Sequence, residues 1–379
     1  MGKRGQNEGS ITYLKSRGKW SARLYLGVDA TGKAKRWQVY GDTKEAVRKA
    51  LVEAQADKQR GELIASPRQS VAEYLQSWLT DTIQPSRSLR TYESYRLNVN
   101  RALPHLGRHQ LASLKAPHLQ AMYASLLKAG LARRSVEQCH TVIHTALAQA
   151  VRWRMLPYNP ADLVTVPRSA RHEMQTLSAP QLARLFAGTE AERLHSLWVT
   201  LATTGLRMGE ALGLRWQDVD FDACRLTVRQ SVQRQKGKGI VPVPVKSHRS
   251  RRPIALSGFT VKALRRHKTL IAAERLASAD WQESDLVYPS RRGTPLDTCR
   301  VNGTWHRTLV RLGLPSVRLH DLRHTVASLA LANGVHPKLV QELLGHSSIA
   351  LTLDTYSHII PTSHDEIADH MDRLFSQSS

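Results

Sequence analysis

The hydrophobic period of this chain changes along its length, and that limits the architectures open to it. Before about residue 41, apolar and polar side chains alternate in three short runs, ITYLK, WSARLYLGV and KRWQVY. A two-residue period rich in aromatic and β-branched residues predicts strands. Gly18-Lys19 and the DATG segment at 29–32 are hairpin-turn signals between them. From Thr43 the period becomes three to four residues. Thr43 is placed to cap a helix that stops at Gly61. The same helical spacing runs through VAEYLQSWLTDTI, LRTYESYRLNVNRALPHLG, KAPHLQAMYASLLKAG and RRSVEQCHTVIHTALAQAVRWRML. Gly107 and Gly130 are predicted helix stops, and Trp78 and Trp153 are expected in the core of that bundle. Strand-like runs then return among helices after Thr176. The expectation is a mainly α, multidomain chain. A small three-stranded sheet with one helix occupies 1–63, a helical bundle 70–165, and a mixed, mostly helical domain with a small sheet 176–379. Pro67 and Pro167 mark the linkers between them.

The chain carries 55 Lys and Arg against 31 Asp and Glu, a formal charge of +24. Charge of that size does not choose a fold, but it does choose partners. It points to a polyanion bound in a salt-sensitive way. Nucleic acid fits better than an anionic membrane surface, because no helix combines a basic face with a rich apolar one. No apolar run reaches the length of a membrane span, and MGKRGQNEGS lacks the apolar stretch of a signal peptide. Three scattered cysteines, Cys139, Cys224 and Cys299, form neither a disulfide framework nor a zinc site, and no metal ligand set is expected.

Chemistry concentrates in the last half of the chain. Arg207 lies in TTGLRMGEALGLRW at the predicted start of a helix, and guanidinium and helix N-terminus both favour a phosphate. Glu210, three residues on, is placed to orient an arginine or a histidine. Residues 236–252 hold six Lys and Arg and no acid. Lys236, Lys238, Arg249, Arg251 and Arg252 of this segment are expected on a DNA backbone, as are Arg133 and Arg134 in the bundle. Lys246, a movable point charge, suits a general acid. His320 and Arg323 in HDLRHT share one helix face, His320 placed to accept a proton or hold the attacking oxygen and Arg323 to be a second phosphate clamp, whereas His324 is expected to face elsewhere. His346 follows Gly345, a predicted helix stop, and can donate to a phosphate oxygen. Tyr356 in TLDTYSH offers a phenol that cations would help ionise. Each residue alone has a bland reading as surface arginine, helix-end histidine or packed tyrosine, and Tyr288 in SDLVYPS is taken as core. Their fixed order carries the argument.

That order and those local strings resemble the tyrosine recombinases, the phage-integrase family. The resemblance is strongest over about 176–360, moderate over 70–165 and weakest over the first 63 residues. It implies that Arg207, Lys246, His320, Arg323, His346 and Tyr356 form the catalytic set. It also implies transesterification through a 3′-phosphotyrosyl bond with release of a 5′-hydroxyl, and hence no cofactor. Double-stranded DNA as the partner, a homotetramer on two such DNA partners, a bending or directionality factor, and work in the bacterial host cytoplasm on the nucleoid follow from the same resemblance. Residues 1–63 resemble an arm-site-binding domain and 70–165 a core-binding domain. The acidic tail 362–379 is expected to dock on a neighbouring protomer or on its own domain. A non-cleaving DNA-binding relative, a type IB topoisomerase-like relaxase and a nuclease remain alternatives at this level.

Overall fold

The computed structural model describes residues 9–28, 34–59, 69–169, 174–235, 237–245, 251–345 and 348–356. Two compact units divide the chain, Met1–Arg171 and His172–Ser379.

In the first unit, β1 (Ser10–Leu14), β2 (Lys19–Val28) and β3 (Ala34–Gly41) form an antiparallel meander in the order β1-β2-β3. Gly18 takes a φ of 60°, which lets the chain reverse into β2. Helix α1 (Lys44–Gln59) covers one face, with Val47, Leu51 and Ala54 against Ala22 and Leu24. Thr43 Oγ1 accepts the Ala46 amide at 3.1 Å, the expected N-cap.

The helical part of this unit has a separate core. It comprises α2 (Val71–Ser77), a π turn (Trp78–Ile83), α3 (Gln84–Ser86), α4 (Leu89–Leu106), α5 (Ala116–Lys128) and α6 (Arg133–Arg152). Helix α2 opens with a capping box, in which Ser70 and Glu73 satisfy each other's amides. Val136, Cys139, Val142, Ile143, Ala146, Leu147 and Ala150 make the buried stripe of α6. The Tyr74 hydroxyl donates to the Ala146 carbonyl at 2.6 Å, a bond between two helices sealed from water. Trp78 is buried and stacks on Tyr95, as expected of a core residue. Trp153 departs from expectation. It sits at the C-cap of α6 with nearly half its surface exposed, touching Tyr74 only edge-on. The apolar stripe of α6 ends at Ala150, so the next aromatic falls off the core face.

The second unit starts with α7 (Ala179–Thr189), capped by Ser178 and Gln181. Then come α8 (His195–Thr204) and α9 (Met208–Leu212). Five strands follow: β4 (Val219–Asp220), β5 (Arg225–Val228), β6 (Gln230–Gln235), β7 (Gly239–Pro244) and β8 (Arg252–Ala255). Strands β4, β5 and β8 form one antiparallel sheet and β6 and β7 a separate hairpin. RLTVRQSV, which reads as one strand, is therefore broken at Arg229 and shared between two sheets. The unit ends with α10 (Gly258–Ala277), α11 (Thr298–Arg311), α12 (Asp321–Ala332), α13 (Pro337–Leu344) and α14 (Ile349–Tyr356). Trp198 and Trp305 meet at its centre, 5.1 Å between rings. Tyr288 is fully buried there, its hydroxyl 2.7 Å from Thr200 Oγ1. Lys236, Lys246, Arg249, His346 and the tail 362–379 lie outside the described residues.

Candidate active site

Five helices, α8, α9, α12, α13 and α14, and strand β8 of the second unit bring the chemistry together. Helix α8 ends at Gly205, whose φ of 62° turns the chain sharply into Leu206 and Arg207. Arg207 is the N-cap of α9, where sequence spacing placed it. Glu210, at the third helical position, accepts the Arg207 backbone amide at 3.0 Å and its guanidinium at 2.8 Å. The carboxylate is buried, while the Arg207 side chain is 41% exposed. Glu210 thus grips the arginine from beneath and leaves its outer edge to solvent.

Arg252 grips the same carboxylate from the other side, Nη2 to Oε2 at 3.0 Å, and its Nε donates to the Leu343 carbonyl at 2.8 Å. It is buried, so it is corrected here from a DNA-backbone contact to an internal ion-pair partner that ties β8 to α13. A signal for this lay in the strand period. Arg252 and Ile254 share one face of β8, and the buried Ile254 marks that face as inward. Gly345 closes α13 with φ 63°, and a Cβ there would lie 3.1 Å from the Arg252 guanidinium. Conformation and close approach both call for glycine at that position.

Helix α12 starts at His320. Asp321, buried, is held by a two-pronged bond from Arg318, with both contacts at 2.9 Å. Its charge at the first turn complements the helix dipole. Arg323, one turn in, is buried and donates to the carbonyls of Gly205 (2.8 Å) and Leu344. Those two bonds fix its guanidinium between the ends of α8 and α13. Burial first, and then Arg207 and Arg252 nearby, push its pKa down to about 9. It stays a cation at neutral pH, but one short of counter-charge. Burial works against ionisation of Glu210, yet Arg252 and Arg207 outweigh it and hold that carboxyl below its usual range. One carboxylate therefore serves three guanidinium groups, Arg207, Arg252 and Arg323, and the surplus is positive.

Tyr356, the last described residue, is almost fully buried against Ala327, Leu331, Val340 and Leu344 of α12 and α13. Its hydroxyl lies 2.5 Å from His324 Nδ1. Burial pushes the phenol up to about 12, with Arg323 pulling the other way. Burial followed by nearby cations lowers the pKa of His320, and burial followed by His320 lowers that of His324. Both imidazoles are neutral at pH 7. His324 corrects the expectation that it faces elsewhere. It lies four residues from His320, one turn along the same helix, and the two rings are 5.6 Å apart edge to face. The spacing from His320, rather than adjacency to Arg323, was the usable signal.

The structure brings Arg207, Glu210, Arg323, His320 and Tyr356 into one region of one unit. Of the other expected DNA contacts, Lys238 is exposed at the β6–β7 turn and Arg251 just before β8. In the first unit, Arg133 and Arg134 are exposed at the start of α6, Arg134 pairing with Glu137 at 3.0 Å. Among the described residues no cluster of His, Cys, Asp and Glu could hold a metal ion, and no helix is long and apolar enough to cross a membrane.

The family model described as "Phage integrase family" matches residues 175–362. An integrase of Saccharopolyspora erythraea is 24% identical, over 98% of this chain and 98% of its own length. Among solved structures, the Tn1549 transposon integrase in complex with a circular intermediate DNA aligns with a TM-score of 0.69. It does so at 18% identity, over 80% of this chain and 99% of that one. A lambda integrase tetramer bound to a Holliday junction aligns with a TM-score of 0.58 at 17% identity, over 96% of this chain and 99% of that one. At such identities the structural likeness speaks to the fold alone.

Proposed function

This chain belongs to the tyrosine recombinase family, and from that premise we propose that it is a site-specific recombinase that integrates or excises a mobile element. The observation that carries the reading is the meeting of Arg207, Arg323 and His320 with Tyr356 at a site with surplus positive charge.

In the proposed reaction a scissile phosphodiester lies against the exposed edge of Arg207 and is held also by Arg323. Both guanidinium groups stabilise the charge that grows on the non-bridging oxygens. His320 donates to the same phosphate. The Tyr356 oxygen attacks phosphorus, the bond to the 5′ oxygen breaks, and that oxygen leaves with the electron pair. Lys246 supplies its proton, and His346 donates to a phosphate oxygen. Attack by the 5′-hydroxyl of another strand reverses these steps and frees Tyr356. The bond energy is kept in the phosphotyrosyl link, so the scheme calls on no cofactor.

The layout proposed for this work has three parts. Residues 1–63 bind arm-type DNA, 70–165 clasp the core site with Arg133 and Arg134, and 176–379 cut and rejoin. Lys236, Lys238, Arg249 and Arg251 track the backbone near the scissile phosphate. The assembly is a homotetramer on double-stranded DNA, joined through the tail 362–379 and assisted by a bending or directionality factor. It acts in the bacterial host cytoplasm on the nucleoid.

A suicide-substrate trap tests the chemistry. The protein and Tyr356→Phe are each mixed, in EDTA, with nicked duplexes taken from the flanks of the gene, then run on denaturing gels. A covalent band with wild type and none with Tyr356→Phe is expected. A Tyr356→Phe band at the wild-type rate removes Tyr356 from the mechanism. Tight complexes with no band from wild type turn the reading to a non-cleaving DNA-binding protein.

A further inference from the structure

We propose that His324 is a further catalytic residue, one that accepts the hydrogen bond of the Tyr356 phenol through Nδ1 and takes its proton as the phenol attacks. The inference rests on the recombinase reading and adds to it the group that activates the nucleophile.

A phenol buried away from water cannot hand its proton to bulk solvent. It needs an acceptor within hydrogen-bond reach, about 2.6–3.2 Å or slightly closer. Among the described side chains the one hydrogen-bonded to Tyr356 is His324, at 2.5 Å. The contact joins two different helices, α12 and α14, over a sequence separation of 32 residues. Donor and acceptor in this contact follow from the imidazole tautomer. If Nδ1 accepts the phenol proton, the ring hydrogen is on Nε2.

The surroundings keep the imidazole able to accept. His324 is faced by His320, Arg323 and Arg318, which disfavour a second proton, and by Asp321, which favours it. Burial is the largest influence and acts with the cations, so the ring is neutral near pH 7. Arg323 acts on the other partner by favouring the phenolate. Burial raises the phenol to about 12, and the fixed Arg323 guanidinium works against that by favouring the phenolate beside a neutral acceptor. On attack, the Tyr356 Oη–H bond breaks, the proton passes to Nδ1, and the oxygen pair forms the bond to phosphorus. The P–O5′ bond breaks and the 5′ oxygen takes the Lys246 proton. On rejoining, the incoming 5′-hydroxyl returns a proton to Lys246 and His324 returns its proton to Tyr356, so the cycle closes without loss or gain. His320 serves the phosphate and His324 the nucleophile, one turn apart on α12.

His324→Asn tests this, because its amide oxygen can still accept a hydrogen bond near the Nδ1 position but cannot take a proton. Covalent adduct formation on nicked suicide duplexes should fall about a hundredfold or more, with binding to the same duplexes unchanged. Replacing Tyr356 by 3,5-difluorotyrosine, whose phenol ionises more readily, should recover most of that loss in His324→Asn. Adduct formation within about threefold of wild type, or a loss that the acidic phenol does not recover, overturns the proposal. If His324→Asn fails to fold, 15N spectra of histidine-labelled wild type and Tyr356→Phe decide. An Nε2–H tautomer whose Nδ1 signal moves when the phenol hydroxyl is removed is expected. An Nδ1–H tautomer overturns it. Absence of any tyrosine-dependent adduct from wild type sinks the recombinase reading itself, whereas a wild-type adduct with an unaffected His324→Asn sinks this inference alone.

Discussion

Among the described residues Glu210 is the carboxylate bonded to both Arg207 and Arg252, and changing it to glutamine should unsettle the site without changing its shape. Glutamine keeps the volume and one accepting oxygen but removes the charge. Glu210 accepts from the Arg207 amide, the Arg207 guanidinium and Arg252. Breaking a buried ion pair on one side costs about 3–5 kcal/mol. The Arg207 side chain is 41% exposed, so water screens that half of the interaction, while Arg252 is buried and is not relieved in this way. The lower end, about 3 kcal/mol, is therefore expected. For a unit of this size about 2–4 °C is lost per kcal/mol, so the melting temperature should drop by roughly 6–12 °C. The sign with pH follows from the depressed carboxyl. A lowered folded-state pKa gives stability that is full above the unfolded value of about 4.3 and is lost as pH falls through the folded one. The gap between wild type and Glu210→Gln should thus be constant at neutral pH and close in strong acid. Added sulfate, which can stand in for the missing anion, should narrow it at pH 7. Thermal melts followed by circular dichroism measure all three. A drop below about 2 °C at pH 7, unaffected by sulfate, would refute the view that this carboxylate neutralises the arginine cluster.

The remaining predictions concern the phosphate clamp and a buried histidine. Arg207→Ala should lower the rate of covalent adduct formation by about 10²–10³, the loss of one charge-stabilising donor, and single-turnover cleavage at the wild-type rate would contradict its role. Arg323→Lys should lose as much, because a lysine cannot bond two carbonyls and a phosphate from one fixed plane. His267 is buried and bonded to the Val287 carbonyl at 2.8 Å, and burial takes its pKa down to about 4. With a depressed folded-state value, its contribution is full above the unfolded pKa of about 6.5 and is lost as pH falls towards 4. His267→Gln should flatten the fall in melting temperature across that window, and an unchanged slope would show that His267 does not set it.

The places of Arg207, His320 and Arg323 on their helices were legible because those positions obey strong local rules. Arg207 stands where a left-handed glycine and a three-residue step to an acid announce a helix start. His320 and Arg323 are one turn apart on α12. The bundle stripes followed the helical period because nearly every apolar position in α6 is buried. What escaped is of another kind. The inward turn of Arg252, the exposure of Trp153 and the pairing of His324 with Tyr356 each depend on which side of an element meets a distant partner. A run of basic residues reads as a solvated surface, yet a strand alternates within that run, so the composition of 236–252 concealed one internal arginine among external ones.

The internal arginine changes how the site is understood. Were Arg252 on the DNA, Glu210 would neutralise Arg207 one to one, and the site would have little reason to seek an anion. Buried instead, Arg252 shares the carboxylate, and Arg207 keeps its outer edge under-neutralised towards solvent. Arg323 adds a cation whose two carbonyl bonds hold it in place but contribute no counter-charge. The folded protein therefore carries positive charge arranged before any ligand arrives, and a phosphodiester would meet donors that need not reorganise. The same field reaches Tyr356 through Arg323 and adds to burial in lowering both imidazoles, so in the proposed reaction one arrangement of cations would attract the substrate and keep His324 ready to accept a proton.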